Sequence, residues 1–448
     1  MGRFFGPGML GGGKMTGKSK VLFVLVMALS CAAWAGDGIP VGNAIFYPSI
    51  EAVYAHSDNI YLQDASMLYG NTSGNWWSIR PMVGWEFPFQ QSYVRLDLGY
   101  QYQDYSSGYN INTHDSYTAD LKGIFKFGNG HSFTFQDNFI RGLREVNKFD
   151  PGYERYYSNT PFNNNALRVG VDFAVNKLNT LGLYGLYNTT SFSDVNAAHQ
   201  SPFFDYHQAG GGLLWKYNFR PDANFLVDVR YLENRPDQKV WDSTLYTNVN
   251  AKKYDQWQAL TGVDGDLGTM LKGYAKIGWS RLRFRNGASD FNGFVADVGL
   301  TLRATEFFSV DFKANRTPYQ SAYNINNYYT SSGAEVALHH QISRYLFWSA
   351  GYRYQENAYP DTTVAYPMGY FYPTTYEFLA SAGEKRSDKI SRAFAEMGYH
   401  FNKQFSLKAN YQYEDRNSTI KYVDLLWYLR RPYSYTENRF SVSAQFGW

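Results

Sequence analysis

The 448-residue chain is short of three things, and each shortage removes a class of protein. It has one cysteine, Cys31, so disulfides, cysteine-ligated metals and, past residue 31, thiol nucleophiles are all excluded. After the N-terminal region no apolar run approaches the 18 or so residues of a membrane-spanning helix. Net charge is also scarce: 42 basic residues stand against 39 acidic ones, a formal +3. Even that surplus lies at the front, in Arg3, Lys14, Lys18 and Lys20. Without those four, 38 basic residues face 39 acidic ones and the charge is −1. No basic excess or single-sign tail remains to engage nucleic acid.

What the chain has is aromatic residues and glycine. Tyr (40) and Phe (33) dominate an aromatic share of 19%, Gly also numbers 40, and yet the mean hydropathy is −0.45. Apolar residues come singly, at every second position, as when one face of a strand meets lipid and the other water. From Phe46 onward the alternation predicts about 18 strands, approximately 46–56, 75–87, 92–104, 115–127, 132–145, 164–176, 180–192, 205–219, 225–235, 253–266, 270–285, 292–304, 308–317, 328–341, 345–357, 388–401, 405–415 and 434–448. Tight turns such as Gly128-Asn129-Gly130-His131 and Asn402-Lys403-Gln404 alternate with long polar connections, including 57–74, 146–163, 236–252 and 358–387. The fold class is therefore all-β: one transmembrane antiparallel up-and-down barrel, with short periplasmic turns, long extracellular loops and no second domain.

Faces are assigned strand by strand. Trp77, Ile79, Val83, Trp85 and Phe87 share one face, and Arg80, Gly84 and Glu86 the other. Arg or Lys on the lipid face near the midplane would cost ~2–4 kcal/mol, so the charged set belongs to the lumen. Lumen-lining candidates are Arg80, Arg95, Asp97, Lys122, Arg168, Asp172, Lys216, Asp228, Arg230 and Arg353. Arg392 and many glycines fall on the same face. Asp137 fits its strand poorly. Tyr100, Tyr102, Tyr105, Tyr352 and Tyr354 suit the aromatic girdles at the water–lipid boundary. The loop 358–387, rich in Tyr and Pro, could fold into the lumen or sit outside as a lid. At the end of the chain Phe440, Val442, Ala444, Phe446 and Trp448 alternate with Ser, Ser, Gln and Gly. This resembles the C-terminal strand of outer-membrane barrels, which closes against the first strand and whose final aromatic is read by the barrel assembly machinery.

At the other end, Lys14, Lys18 and Lys20 precede the apolar run 21–29, and Ala33-Trp34-Ala35 supplies small residues, which predicts a signal peptide over 1–35 cleaved after Ala35. A short periplasmic segment, 36–45, then leads to the barrel at 46–448. The alternative is a lipid anchor at Cys31. Met9 and Met15 are alternative starts. Gly12 to Ser19 fits the P-loop pattern but lies in the segment expected to be removed, with neither the strand nor the helix that would aim its N–H groups at phosphate.

The stretch 46–61, which runs from Pro48 into Ser57-Asp58-Asn59-Ile60-Tyr61, resembles the opening strand of the outer-membrane β-barrel porins called porin-2-like. The resemblance implies a location in the outer membrane of a Gram-negative bacterium, in contact with its lipid. For some members it implies a link to exopolysaccharide export and to periplasmic export components. It carries over no catalytic or binding residue.

The expected function is a channel for hydrophilic solutes, with a polysaccharide conduit as one form of it. Surface-binding loops of an adhesin, a barrel hydrolase and a sleeve for an electron-carrying partner are the alternatives. A hydrolase would need a nucleophile or activated water beside an acid–base pair. His339-His340 point to opposite faces, and His56 with Asp58 has no evident serine partner. No cofactor or metal is expected.

Overall fold

The computed structural model describes residues 38–60, 62, 73–105, 113–143, 151–154, 161–192, 205–236, 239–242, 247–250, 252–285, 289–321, 326–362, 378–379, 383–423, 429–430 and 433–447. The leader, Cys31, the P-loop-like stretch and Trp448 lie outside them. Among the described residues there is no helix, and strands account for nearly all of the structure.

Eighteen of these strands form the wall: β1 (Ala44–Ser57), β2 (Gly74–Phe89), β3 (Ser92–Tyr105), β4 (His114–Phe127), β5 (His131–Gly142), β6 (Phe162–Ala174), β7 (Asn179–Phe192), β8 (Tyr206–Arg220), β9 (Ala223–Pro236), β10 (Tyr254–Asp266), β11 (Leu271–Phe284), β12 (Phe291–Arg303), β13 (Phe308–Gln320), β14 (Tyr328–Gln341), β15 (Leu346–Thr362), β16 (Lys385–His400), β17 (Phe405–Ser418) and β18 (Tyr435–Gly447). Each pairs antiparallel with its neighbour in sequence, and β18 pairs with β1 from Ser49↔Gly447 to Ser57↔Arg439. The sheet therefore closes into an up-and-down barrel. A nineteenth, short strand, Ile39–Val41, turns back onto the start of β1 through Gly42, whose φ of 61° favours glycine.

Closure answers the physics of lipid: a spanning sheet with an open edge would leave backbone N–H and C=O groups without partners. The two rims differ as the alternation of turns predicts. Turns such as Gln90-Gln91 and Pro221-Asp222 lie on one side, and connections such as 321–327 and 419–434 on the other, called the outer rim here. The exposed large side chains Tyr54, Phe87, Leu183, Leu213, Ile277, Trp279, Phe440 and Val442 lie on the outward face. Alternation then turns their strand neighbours inward. Asp137 is the exception, an outward carboxylate between Leu121 and Leu167 with one oxygen buried and unbonded among the described residues. Tyr105 also departs from the girdle reading. It pairs with the inward Trp76, the rings 5.9 Å apart, and so belongs to the lumen.

There is no central core of the soluble kind. Buried apolar side chains gather instead on the inward face near the outer rim, where Tyr254, Leu282, Phe284, Phe291 and Val295 form one cluster. The strands reach further beyond the membrane than the sequence pattern does: β15 runs to Thr362, β16 starts at Lys385 and β17 ends at Ser418. The predicted loop 358–387 is thereby shortened at both ends, and its centre, 363–377, lies outside the described residues.

Candidate functional site: a lumen narrowed by an inserted segment

Nine of the ten lumen candidates lie on the wall formed by β2 to β9. Glu86, Arg95, Lys122, Gln136 and Arg168 are Cα partners from strand to strand, giving a mainly basic row across β2–β6. One step further along the strands Asp97 and Asp120 form an acidic pair of positions. Arg95 joins the two levels, its Nε 2.9 Å from Asp97 Oδ2 and its Nη1 3.4 Å from Glu86, with the guanidinium over Tyr47. Arg80 pairs in register with Glu51.

Beyond them Lys216 reaches Asp172 at 3.4 Å, and Arg168 covers the Tyr184 ring at 4.1 Å. Tyr184 donates to Asp228 at 2.6 Å, crossing the whole of β8 to do so. It can cross because Gly212 stands beneath it; a Cβ there would lie 2.5 Å from the ring. Arg230, on the same inward face of β9 as Asp228, pairs with Gly212. These positions make a solvated, mixed-charge wall and no buried pair.

The tenth candidate, Arg353, lies across the barrel, and there the chain does something the periodicity does not foretell. After Leu143 the connection between β5 and β6 includes the segment Pro151–Glu154, which rests against β14–β17, six to nine strands away around the ring. Eleven residues separate Leu143 from Glu154, enough extended chain for about 36 Å. The segment thus lies inside the barrel, anchored to the far wall.

Its anchors are specific. The Gly152 carbonyl accepts from Gln355 Nε2 at 2.6 Å and from Asn357 Nδ2 at 2.8 Å. Arg416 donates to the Tyr153 carbonyl at 2.7 Å and to the Glu154 carbonyl at 3.0 Å. The Glu154 carboxylate, fully buried, accepts from Ser321 Oγ at 2.6 Å. Tyr153 adopts φ of 56°, a left-handed conformation costing a non-glycine residue about 1–2 kcal/mol. In return its ring sits beside two guanidiniums, Arg353 at 5.2 Å and Arg392 at 5.3 Å.

Behind the anchors is a buried ionic layer. Asp388 takes Arg386 at 2.7 Å and Arg416 at 2.6 Å, and Arg386 lies over the rings of Tyr359 and Tyr433. Burial pushes the Tyr433 phenol up. With Glu154 and the buried Lys252, whose ammonium donates to the Ser321 carbonyl at 2.6 Å, carboxylates and cations are buried together, the pairing that lets charge be buried at all. Below it Lys313, Glu335, Arg353, Arg392, Glu414 and Glu437 are successive Cα partners, a charged row crossing β13 to β18. Arg392 Nε is 2.6 Å from Glu414, which also accepts from Tyr435. Tyr153 thus stands over the Arg353–Arg392 part of this row on the far wall.

Gly152 is required by this packing. A Cβ there would lie 2.0 Å from the Tyr329 hydroxyl and 2.6 Å from its ring, and Tyr329 is fully buried between Tyr319 and Tyr359. Gly152→Ala is therefore expected to expel the segment and raise single-channel conductance, and adding Tyr329→Ala should restore the narrow level. A G152A channel conducting like the wild type would mean the tip has another way to sit.

Sequence reasoning missed Arg386 and Arg416 because the predicted strands 388–401 and 405–415 stop short of them, and it left Asp388, the first residue of its strand, without a role. It read 146–163 only as a long polar connection. The available signal was the run Pro151-Gly152-Tyr153-Glu154, a turn former and an aromatic residue next to an acid. Of the histidines, His339 contacts Asp311 at 3.2 Å while His340 contacts Trp348. His56 contacts Asn75, and Asp58 accepts from Asn438, so these two do not form a His–Asp pair. Among the described residues no group of three or more His, Cys, Asp or Glu is placed to hold a metal ion.

Comparison with solved structures finds other barrels at very low identity. The FrpB iron transporter from Neisseria meningitidis is 9% identical, with 89% of this chain and 81% of that one covered and a TM-score of 0.39. The siderophore receptor PirA from Acinetobacter baumannii gives 8%, 92%, 81% and 0.45, and the ferric enterobactin receptor PfeA from Pseudomonas aeruginosa 9%, 90%, 81% and 0.46. What those proteins bind stays with them. No curated protein sequence matches the chain. A family model does match, over residues 32–426, and with that span the chain belongs to the family described as "Putative beta-barrel porin 2".

Proposed function

We propose that the mature chain is a diffusion channel for small hydrophilic solutes in the outer membrane of a Gram-negative bacterium. The observation that carries this reading is the inserted segment Pro151–Glu154, fixed to the inward face of β14–β17 with its tyrosine beside Arg353 and Arg392. An 18-strand barrel encloses more space than its own side chains fill. A segment held across it sets the bore and brings a permeating solute close to Arg353, Arg392 and the facing wall. Rings of charged side chains at such a width select by charge and hydration. The leader 1–35 would direct export, and the strand ending at Trp448 would be read by the assembly machinery.

The export of a polysaccharide, with periplasmic export components docked at the inner rim, is a second reading. Its support is the group of inward tyrosines, Tyr319, Tyr329 and Tyr359, which could carry sugars. Tyr329 and Tyr359 are covered in this state, so that reading requires the segment to leave.

Planar-bilayer recording of refolded residues 36–448 tests the proposal. A steady conductance well below that of an unobstructed barrel is expected, shifted toward cations when Arg95 and Arg168 are replaced by alanine. No conductance from a folded barrel would rule out passive diffusion, and an unchanged reversal potential in the double variant would remove that wall from the selectivity mechanism.

A further inference from the structure

On the outside of the barrel, charge appears where alternation faces lipid. The outward positions of β11 run Ile277, Trp279, Arg281, Arg283, and the next in line is Arg285, so three guanidiniums follow an apolar stretch on one face. On the neighbouring strands Trp257 pairs with Arg281 and Asp255 with Arg283, while Arg285 donates its backbone N–H to the Lys253 carbonyl. Glu233 pairs with Asp255, and Arg235 lies two residues further along β9. With Asp290 beside Arg283 at the edge of β12, five cations share the patch with three carboxylates.

Two of the carboxylates are already engaged by cations. Glu233 contacts Arg235 at 2.6 Å and Lys253 at 3.2 Å, and Asp255 contacts Arg285 at 2.9 Å. Arg281 and Arg283 are exposed and form no ion pair among the described residues. Asp290, at the start of β12 in line with Arg283, accepts instead from the Phe284 N–H. Arg281 and Arg283 are thus two guanidiniums left without an ion-pair partner among the described residues.

Depth follows from the aromatics. Trp257 and Trp279 are 57% and 53% exposed on the outward face, and the Tyr231 ring lies tilted beside Trp257 at 4.9 Å. Such rings settle at the boundary between hydrocarbon and headgroups. Arg281, Arg283 and Arg285 lie two, four and six residues beyond Trp279 toward the outer rim. At about 3.3 Å per residue on a tilted strand, this is the headgroup layer and just above it.

We infer that this patch of β9–β11 is a docking site for the phosphorylated headgroup of a glycolipid of the outer leaflet, of the lipid A type. Arg281 and Arg283 hold phosphate oxygens through paired N–H donors, Arg285 and Lys253 widen the positive field, and Ile277, Trp279 and Trp257 carry the acyl chains below. The charge complementarity and the vertical order of apolar band, tryptophans and arginines match an amphiphile of that build. Placing the patch in the outer leaflet rests on the outer-membrane reading above.

The test is retention of hexa-acylated diphosphoryl lipid A by the folded barrel in maltoside micelles, read by native mass spectrometry, beside its dephosphorylated form, phosphatidylethanolamine and inorganic phosphate. Wild type should retain diphosphoryl lipid A, and Arg281→Ala with Arg283→Ala should weaken it roughly thirty-fold, from the usual gain per basic residue at an anionic surface. Arg281→Lys with Arg283→Lys should keep part of the affinity, and Arg344→Ala with Lys403→Ala at the inner rim should keep all of it. Equal retention by wild type and the R281A/R283A barrel overturns the inference, as does equal retention of the dephosphorylated lipid. Binding of inorganic phosphate with undiminished strength would overturn the lipid assignment. Retention in micelles needs no channel activity. A conducting barrel that ignores lipid A defeats this inference alone, whereas one that retains lipid A but does not conduct defeats the channel reading alone.

Discussion

Replacing Arg416 with alanine should raise single-channel conductance several-fold while leaving the barrel folded. Arg416 is 1% exposed and serves three acceptors at once: Asp388 and the carbonyls of Tyr153 and Glu154. Without it Asp388 keeps only Arg386 of its two cations, and the buried layer around Glu154 loses one positive charge. Removing one partner from a buried ionic network costs about 3–5 kcal/mol. The wall has little share in that loss, since the backbone pairs of β17 with β16 and β18 do not involve the side chain. The cost falls on the inserted segment, and a shift of that size changes its docked-to-released ratio by roughly two to four orders of magnitude. Arg416→Lys keeps the charge but loses the planar fork, so it should conduct at an intermediate or flickering level. If R416A shows the wild-type conductance and an unaltered heat-modifiable mobility, the segment is not held by this network.

The barrel was legible because lipid writes on every second residue. In β2 the set Trp77, Ile79, Val83, Trp85 and Phe87 against Arg80, Gly84 and Glu86 gives the face of each position directly, and the register follows it. The same logic found Arg353 and Arg392 as inward residues. It did not find that both guanidiniums meet Tyr153, because that contact joins positions about 200 and 240 residues apart, and no local pattern encodes the destination of a loop. Beyond the membrane the signal fades for a physical reason: where both faces of a strand are polar, alternation has no solvent boundary to record. Thr362, Arg386 and Ser418 lie in those extensions. The loop with the most aromatics, 358–387, reads from its sequence as a constriction or a lid and has its centre outside the described residues, while 151–154, with a single tyrosine, enters the lumen with no such signal.

The largest structural effect should come from ending the chain at Arg439. That truncation removes the β18 partners of β1 from Ser49↔Gly447 to His56↔Phe440, leaving only Ser57↔Arg439, and the partners of β17 from Phe405↔Phe446 to Tyr411↔Phe440. Two edges then face hydrocarbon with their N–H and C=O groups unpaired, at several kcal/mol for each group. The gap cannot close by simple approach. β18 is antiparallel to both β17 and β1, so β17 and β1 run parallel to each other. Joining them would demand a parallel ladder with slanted, evenly spaced bonds between strands built for antiparallel neighbours. A seventeen-strand remnant also loses the outward Phe440, Val442, Ala444 and Phe446 from its lipid face. The truncated chain is expected to show no heat-modifiable band and no protease-resistant core, whereas Phe440→Ser, which keeps every backbone pair, should still fold. A truncated chain that resists protease and conducts would mean that β1 and β17 can meet in parallel, and that the strand at the C-terminus is not what closes this barrel.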